Sequence, residues 1–360
     1  MTLLLAASAR LDAAIARAQD FLLSAQDANG GWRDFLLPAG LSDGWVTGYV
    51  GEALIEGEGP DRPWPAARRA WRFLQSAETP LGGWSYNANV PGDADSTLWG
   101  LRFAEAIDEA TMPVAERAYA FLDRHIRKDG GLSTYAEAGP IRDYTGMPAF
   151  VPFDGWVRSH VCVSAAGANL SRRPAGLIDY LVSQQDEDGG WSGYFWFDRE
   201  YATGEAVRAL SRIGPDDSRS RDAIDLAATW LTRRVLHLAA AEGRVRPTFA
   251  LACAARALAD VARNRDAREA LARAADSLVE WQRETGSWGP SARLRVPPPY
   301  AIVPPEEATW TRWEGLPPDT SSSAEVLAAT FTNFSPDHRG LFSAATALRA
   351  LRAIARGKVS

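Results

Sequence analysis

The triplet Gly-Gly-Trp recurs along this chain, and its spacing restricts the fold more than any other feature. It stands at Gly30-Gly31-Trp32, Gly82-Gly83-Trp84 and Gly189-Gly190-Trp191, with degraded copies at Gly130-Gly131-Leu132 and Gly286-Ser287-Trp288. The last residues of successive copies lie 52, 48, 59 and 97 positions apart. The final interval is roughly double the others, which predicts a hidden copy between Trp191 and Trp288. A second marker locates it. An aromatic residue followed by leucine precedes each copy by eleven positions, as Phe21-Leu22, Phe73-Leu74, Phe121-Leu122 and Tyr180-Leu181. Trp230-Leu231 supplies the missing unit, where the turn has become Ala241-Glu242-Gly243, and Ser277 fills the aromatic slot of the last. Six units of about fifty residues result.

Each unit reads as a pair of helices. Before the first turn, Ile15, Ala18, Phe21, Leu22 and Ala25 recur at helical spacing and form one apolar face. Glycine then ends the helix, because it accepts the left-handed cap conformation. A more apolar, alanine-rich segment follows each turn: Val46 to Leu54, Thr97 to Ala106, Val161 to Leu170, Tyr201 to Leu210, Thr248 to Leu258 and Ala344 to Leu351. Charged helices outside and apolar helices inside, six times over, predict an all-α, closed α6/α6 toroid. The ring takes up the chain from about residue 8 to about residue 356, so residues 1–360 read as one domain. Two long insertions interrupt it, at about 133–153 and 290–336. The first carries Tyr144, Phe150 and Phe153; the second carries Pro297-Pro298-Pro299, Trp310, Trp313 and Ser321-Ser322-Ser323. Loops of this length are commonly functional, and their aromatics predict lids over one mouth of the ring.

Composition narrows the partners. The 360 residues carry 39 Lys+Arg against 45 Asp+Glu, a net charge of −6, which argues against nucleic acid. Two cysteines exclude a disulfide framework. The apolar runs are too short to span a membrane, and MTLLLAASAR lacks the basic start of a signal peptide. The expected setting is therefore the cytoplasm, with peripheral membrane contact left open. The aromatic content, 14 Trp with 13 Phe and 9 Tyr, exceeds what core packing usually needs.

Glutamine falls six positions before tryptophan in three units, as Gln26/Trp32, Gln185/Trp191 and Gln282/Trp288, with Glu78 and Ile126 in that slot in the second and third units. This pattern resembles the Gln-Trp repeat of squalene–hopene and oxidosqualene cyclases, within the terpenoid cyclase–prenyltransferase toroid superfamily. The resemblance covers nearly the whole chain. A glutamine amide binding backbone and an indole N–H finding an acceptor would staple neighbouring units, a structural role.

A second resemblance lies at Asp93-Ala94-Asp95-Ser96-Thr97. Type II terpene cyclases carry Asp-x-Asp-Asp-Thr at the equivalent place, and the middle aspartic acid protonates an alkene or epoxide. The resemblance implies Asp95 as proton donor and Asp93 as its supporting acid, with Ser96 replacing the third aspartate. Such chemistry needs a carboxyl held neutral, which apolar surroundings and a second carboxylate favour. The cation that follows needs aromatic faces, each worth ~0.5–2 kcal/mol. Trp45, Trp99, Trp156, Phe195, Trp196, Phe197, Tyr201, Phe249 and Phe342 stand near inner-helix starts, and Trp310 lies in the second insertion. These, with His160, are the candidate chamber residues. The plainer reading of Asp95-Ser96-Thr97 is a helix N-cap, as for Asp43, Asp198 and Asp337, and aromatics are more often core than site.

Protein prenyltransferase β subunits share the toroid and bind zinc, but their Asp-x-Cys pair is absent. His160 and Cys162, two apart, do not face each other on a helix. No metal and no cofactor is expected. The chain also lacks an Asp-Asp-x-x-Asp cluster and a Gly-rich phosphate loop. Arg158, Arg199, Arg244 and Arg246 remain as candidates for an anionic head group. Full squalene–hopene cyclases have two barrels and this chain encodes one, so its own insertions, a partner subunit or a second copy must close the chamber. One barrel favours a smaller lipophilic substrate, a C15–C20 isoprenoid or a prenylated aromatic. The expected activity is therefore type II, protonation-initiated cyclisation. The alternatives are cyclisation or isomerisation of a non-terpene metabolite on the same barrel, or a non-catalytic lipid-binding or prenyltransferase-like subunit.

Overall fold

A computed structural model of the chain describes residues 2–57, 63–212, 217–314 and 333–357. Twelve helices pair as the repeat predicts. In chain order the pairs are α1 (Thr2–Ser24) with α2 (Gly44–Ile55), and α3 (Trp64–Ser76) with α4 (Ala94–Ala106). Next comes α5 (Pro113–Asp123), separated by the short α6 (Ala138–Thr145) and α7 (Asp154–Val157) from its partner α8 (Val161–Gly167). Then α9 (Leu177–Ser183) pairs with α10 (Arg199–Ser211), α11 (Ser218–Ala239) with α12 (Thr248–Val261), and α13 (Arg265–Trp281) with α14 (Leu341–Gly357). The second helix of each pair packs against the second helices on either side, and contact of α14 with α2 closes the ring. All twelve residues of α2 are buried, while α3 buries one stripe of five, which separates the inner ring from the outer.

The Gln-Trp pair explains the pitch of the ring. Each indole N–H of Trp32, Trp84, Trp191 and Trp288 donates at 2.8 Å to a carbonyl ten residues back on its own outer helix. The glutamine amide reaches forward instead. Gln26 donates to Ala66 O on the next outer helix, Gln185 to Ala223 O, and Gln282 across the chain ends to Ala14 O. In the second unit Glu78 takes over by pairing with Arg117 of α5. Glycine is required at the turn. Gly30 has φ +93°, and a Cβ there would lie 2.5 Å from Arg69 O of α3, the next outer helix.

The described parts of the insertions form regular elements. The first holds α6, and α7 follows it. The second forms a sheet in which β3 (Arg293–Val296) pairs antiparallel with β5 (Asn333–Pro336), beside the two-residue β4 (Thr311–Arg312). Ser321-Ser322-Ser323 lie outside the described residues. A hairpin of β1 (Asp34–Leu37) and β2 (Gly40–Ser42), which the repeat pattern did not announce, precedes α2. All three follow a turn and lead into an inner helix, so they meet at one mouth of the ring.

Candidate active site

The turn of the second unit places the Asp93–Thr97 motif. Asp93 N–H donates to Trp84 O at 3.0 Å, and Thr97 Oγ1 accepts from Trp84 N–H at 3.0 Å. Asp93 is the N-cap of α4. Its Oδ1 accepts from Ser96 N–H and its Oδ2 from the Ser96 hydroxyl, both at 2.7 Å. The capping role therefore falls to Asp93, and Asp95 sits in the first turn with its side chain free of it. The first insertion is tied to the same motif by Ala94 N–H donating to Thr134 O at 2.9 Å.

Asp95 and Asp93 face a cavity of about 370 Å³. Its walls come from separate parts of the chain. Leu37, Pro38 and Ala39 come from the first hairpin, Tyr135, Ile141 and Tyr144 from the first insertion, and Leu294, Arg295 and Val296 from β3. Trp45, Trp156 and Phe195 also line it, so these three sequence candidates meet the acid pair in one chamber. Oδ1 of Asp95 has no hydrogen-bond partner. Burial and the neighbouring Asp93 carboxylate raise its pKa to about 8. Burial also raises Asp93, but the two bonds from Ser96 restrain it to about 6. At neutral pH the pair thus holds an ionised Asp93 beside a protonated Asp95.

Other candidates lie elsewhere. Trp99, Trp196, Tyr201, Phe249 and Phe342 do not line this cavity. They stack behind Trp45 as a plug in the ring, with Trp196 5.4 Å from Phe342 and 5.1 Å from Phe249. Trp99 Nε1 donates to Tyr201 OH at 3.2 Å. His160 is buried one layer back. Its Nε2 meets Gly155 O at 2.7 Å, so Nδ1 accepts from the hydroxyl of Thr134, a chamber residue, at 2.9 Å. Burial lowers His160 to about 3 and keeps it neutral. Trp310 packs on Phe197 and donates to Pro305 O. Phe150 is 83% exposed. Arg199 is paired with Asp186 and Asp188, Arg158 holds Ile302 O, and Arg246 bonds Ala241 O. None of these, nor Arg244, lines the chamber; Arg295 does.

Beneath the plug lies a feature absent from the sequence reading. Arg102 of α4 pairs with Glu52 of α2 at 3.0 Å and Glu205 of α10 at 2.5 Å. Arg349 joins Glu52 and Glu56, and Arg256 joins Glu56 and Glu205. These pairs cross-link inner helices, some adjacent and some across the ring, and fill its far end with matched charge.

No protein-family profile matches the chain, and a comparison with curated proteins returns no match. Solved structures do match. A variant of the type II terpene cyclase MstE from Scytonema, bound to its substrate geranylgeranyl dihydroxybenzoate, is 32% identical with a TM-score of 0.90, covering 98% of this chain and 99% of that one. A protein from Actinoplanes is 34% identical with a TM-score of 0.84, over 96% and 99% of the two chains. The ent-copalyl diphosphate synthase from Streptomyces platensis, 16% identical with a TM-score of 0.53, shares the fold over 87% of this chain and 50% of its own. With the acid motif, the closed α/α ring and this agreement over nearly its whole length, the chain belongs to the type II terpene cyclase family and is an enzyme of intramolecular cyclisation.

Proposed function

We propose that Asp95, in its protonated form, delivers its proton to a terminal alkene of a prenylated substrate folded into the 370 Å³ chamber. One observation carries this reading: a carboxyl with an unpartnered Oδ1, neutral up to about pH 8, on the wall of a largely apolar cavity. Asp93 is its modulator. The proton adds to one alkene carbon and leaves a tertiary cation. Further alkenes attack in turn, and loss of one proton ends the cascade, so the product is an isomer of the substrate. Trp45, Trp156 and Phe195 offer faces to the passing charge. The insertions at 133–153 and 290–336 act as lids that keep water from the cation, and the whole chain works as one domain.

The MstE complexes hold geranylgeranyl dihydroxybenzoate or merosterolic acid A. They support a prenyl chain on an aromatic head as the substrate class here. A cytoplasmic enzyme that touches a membrane face to collect such a substrate is the setting we propose. Phe150 and Val303, 83% and 76% exposed on the two insertions, support it.

The test is incubation of wild type and Asp95→Asn with farnesyl and geranylgeranyl compounds, prenylated aromatics and squalene, read by mass spectrometry. A cyclised isomer made by wild type and reduced roughly 10²–10⁴-fold in Asp95→Asn is the expected result. Equal product from both proteins would remove Asp95 from the role.

A further inference from the structure

Three charged side chains line the chamber: Asp93, Asp95 and Arg295. The two acids sit together at the start of α4. Arg295 comes from β3, on the wall built by the second insertion, and the acid chemistry does not use it.

Its surroundings are unusual for a partly buried arginine. Nε donates to Tyr194 O at 2.9 Å and Nη2 to Gly193 O at 2.7 Å. The guanidinium lies 5.0 Å from the Phe197 centroid and 5.7 Å from that of Trp310. Among the described residues no carboxylate stands within ion-pair distance of it. Arg293, two positions earlier on the strand, is held by Asp198 at 3.0 Å and Glu307 at 2.6 Å. Arg102, Arg256 and Arg349 at the far end of the ring each face a glutamate. Arg295 is thus positioned by carbonyls and rings, while its charge is left for something else. Burial lowers its pKa, because desolvation outweighs the pull of more distant groups such as Glu307.

A guanidinium has five N–H donors, and the two bonds above use one on Nε and one on Nη2. Three remain, on the Nη1/Nη2 edge. That edge matches a planar acceptor with two oxygens. One cation balances one negative charge, which fits a carboxylate better than a diphosphate.

We infer that Arg295 binds a carboxylate on the head group of the substrate, so that this enzyme takes a prenylated carboxylic acid. The inference rests on the cyclase reading above. It adds a second fixed point: the head is held on the β3 wall and the prenyl chain runs from there towards Asp95. Arg295 is accordingly a specificity-determining residue, whereas Arg158, Arg199, Arg244 and Arg246 are not.

The experiment compares a geranylgeranylated hydroxybenzoic acid with its methyl ester and with geranylgeranyl diphosphate. Wild type, Arg295→Gln and Arg295→Lys are assayed for kcat and KM, and each variant is checked by thermal melting. Wild type should favour the acid over the ester by about 10- to 100-fold in kcat/KM, mostly through KM. Arg295→Gln should collapse that ratio towards one, and Arg295→Lys should restore part of it. Equal handling of acid and ester by wild type would overturn the inference. So would a loss in Arg295→Gln that is the same for both and tracks a fallen Tm, or a wild-type preference for the diphosphate. Calorimetric binding to Asp95→Asn separates this inference from the cyclase reading. Acid bound more tightly than ester, with neither turned over by wild type, keeps the anchor and discards the reaction. Indifferent binding discards the anchor.

Discussion

Ser96 donates to both carboxylate oxygens of Asp93, through its backbone N–H and its hydroxyl, each at 2.7 Å. Where related cyclases carry a third aspartate, this chain carries a donor. The donor favours the ionised form of Asp93, and that negative charge, with burial, keeps the proton on Asp95. Replacing the third carboxylate by a hydroxyl therefore sorts the pair into one ionised and one protonated member. In Ser96→Ala the hydroxyl bond is lost while the backbone cap persists. Stability should fall by about 1–2 kcal/mol in chemical denaturation. Asp93 should then compete with Asp95 for the proton the pair holds at neutral pH, and kcat/KM there should fall.

The same pair sets the pH dependence of turnover. With protonated Asp95 as the proposed reactive form, kcat/KM should be level up to about pH 8 and fall tenfold per unit above it. Asp93→Asn keeps a capping side chain but removes the charge that is the second cause of the raised pKa. Its limb should lie at lower pH than that of wild type. A profile rising above pH 8 would contradict the assignment.

Stability should show the opposite face of this arrangement. Asp95 ionises near 3.8 in an unfolded chain and near 8 in the folded one. Between those values the unfolded state releases a proton that the folded state keeps, so stability declines as pH rises. Asp95→Asn removes that decline. The variant should melt above wild type at pH 8, with the difference shrinking towards pH 4, as measured by melting at several pH values.

Arg102 lies 4.0 Å over the Trp99 ring and between Glu52 and Glu205. Arg102→Met would leave two buried carboxylates short of a partner, at a cost of about 3–5 kcal/mol. The double variant Arg102→Met/Glu205→Gln should recover part of this. A double-mutant cycle in urea measures the coupling.

The turns should tolerate little. Gly82 has φ +85°, and a Cβ there would lie 2.7 Å from Arg117 O. Gly82→Ala should lower the Tm more than Gly139→Ala, since a Cβ at Gly139 meets nothing within 4 Å.

Much of this protein is legible along one dimension. The repeat interval located all six helix pairs, including the unit around Trp230 whose turn is lost. The motif at 93–97 pointed to a pair of acids at an inner-helix start, although α4 begins at Ala94 rather than Thr97 because Asp93 is the cap. Residue spacing suffices for such features because helix faces, caps and glycine turns are set by neighbours within a few positions.

The chamber was decided by contacts that cross the chain. The insertions were expected as loops, but β3 and β5 pair across some forty residues, a relation no local pattern carries. Trp45, Trp156 and Phe195 line the cavity while Trp99, Trp196, Tyr201, Phe249 and Phe342 stack on one another, and sequence treats all eight alike. The role proposed for Arg295 is hidden in sequence for the same reason: it rests on the described carboxylates not reaching it. Sequence determined the ring, because repetition is a local property; tertiary structure decided which surfaces of that ring enclose space and which fill it, because enclosure depends on parts of the chain far apart in sequence.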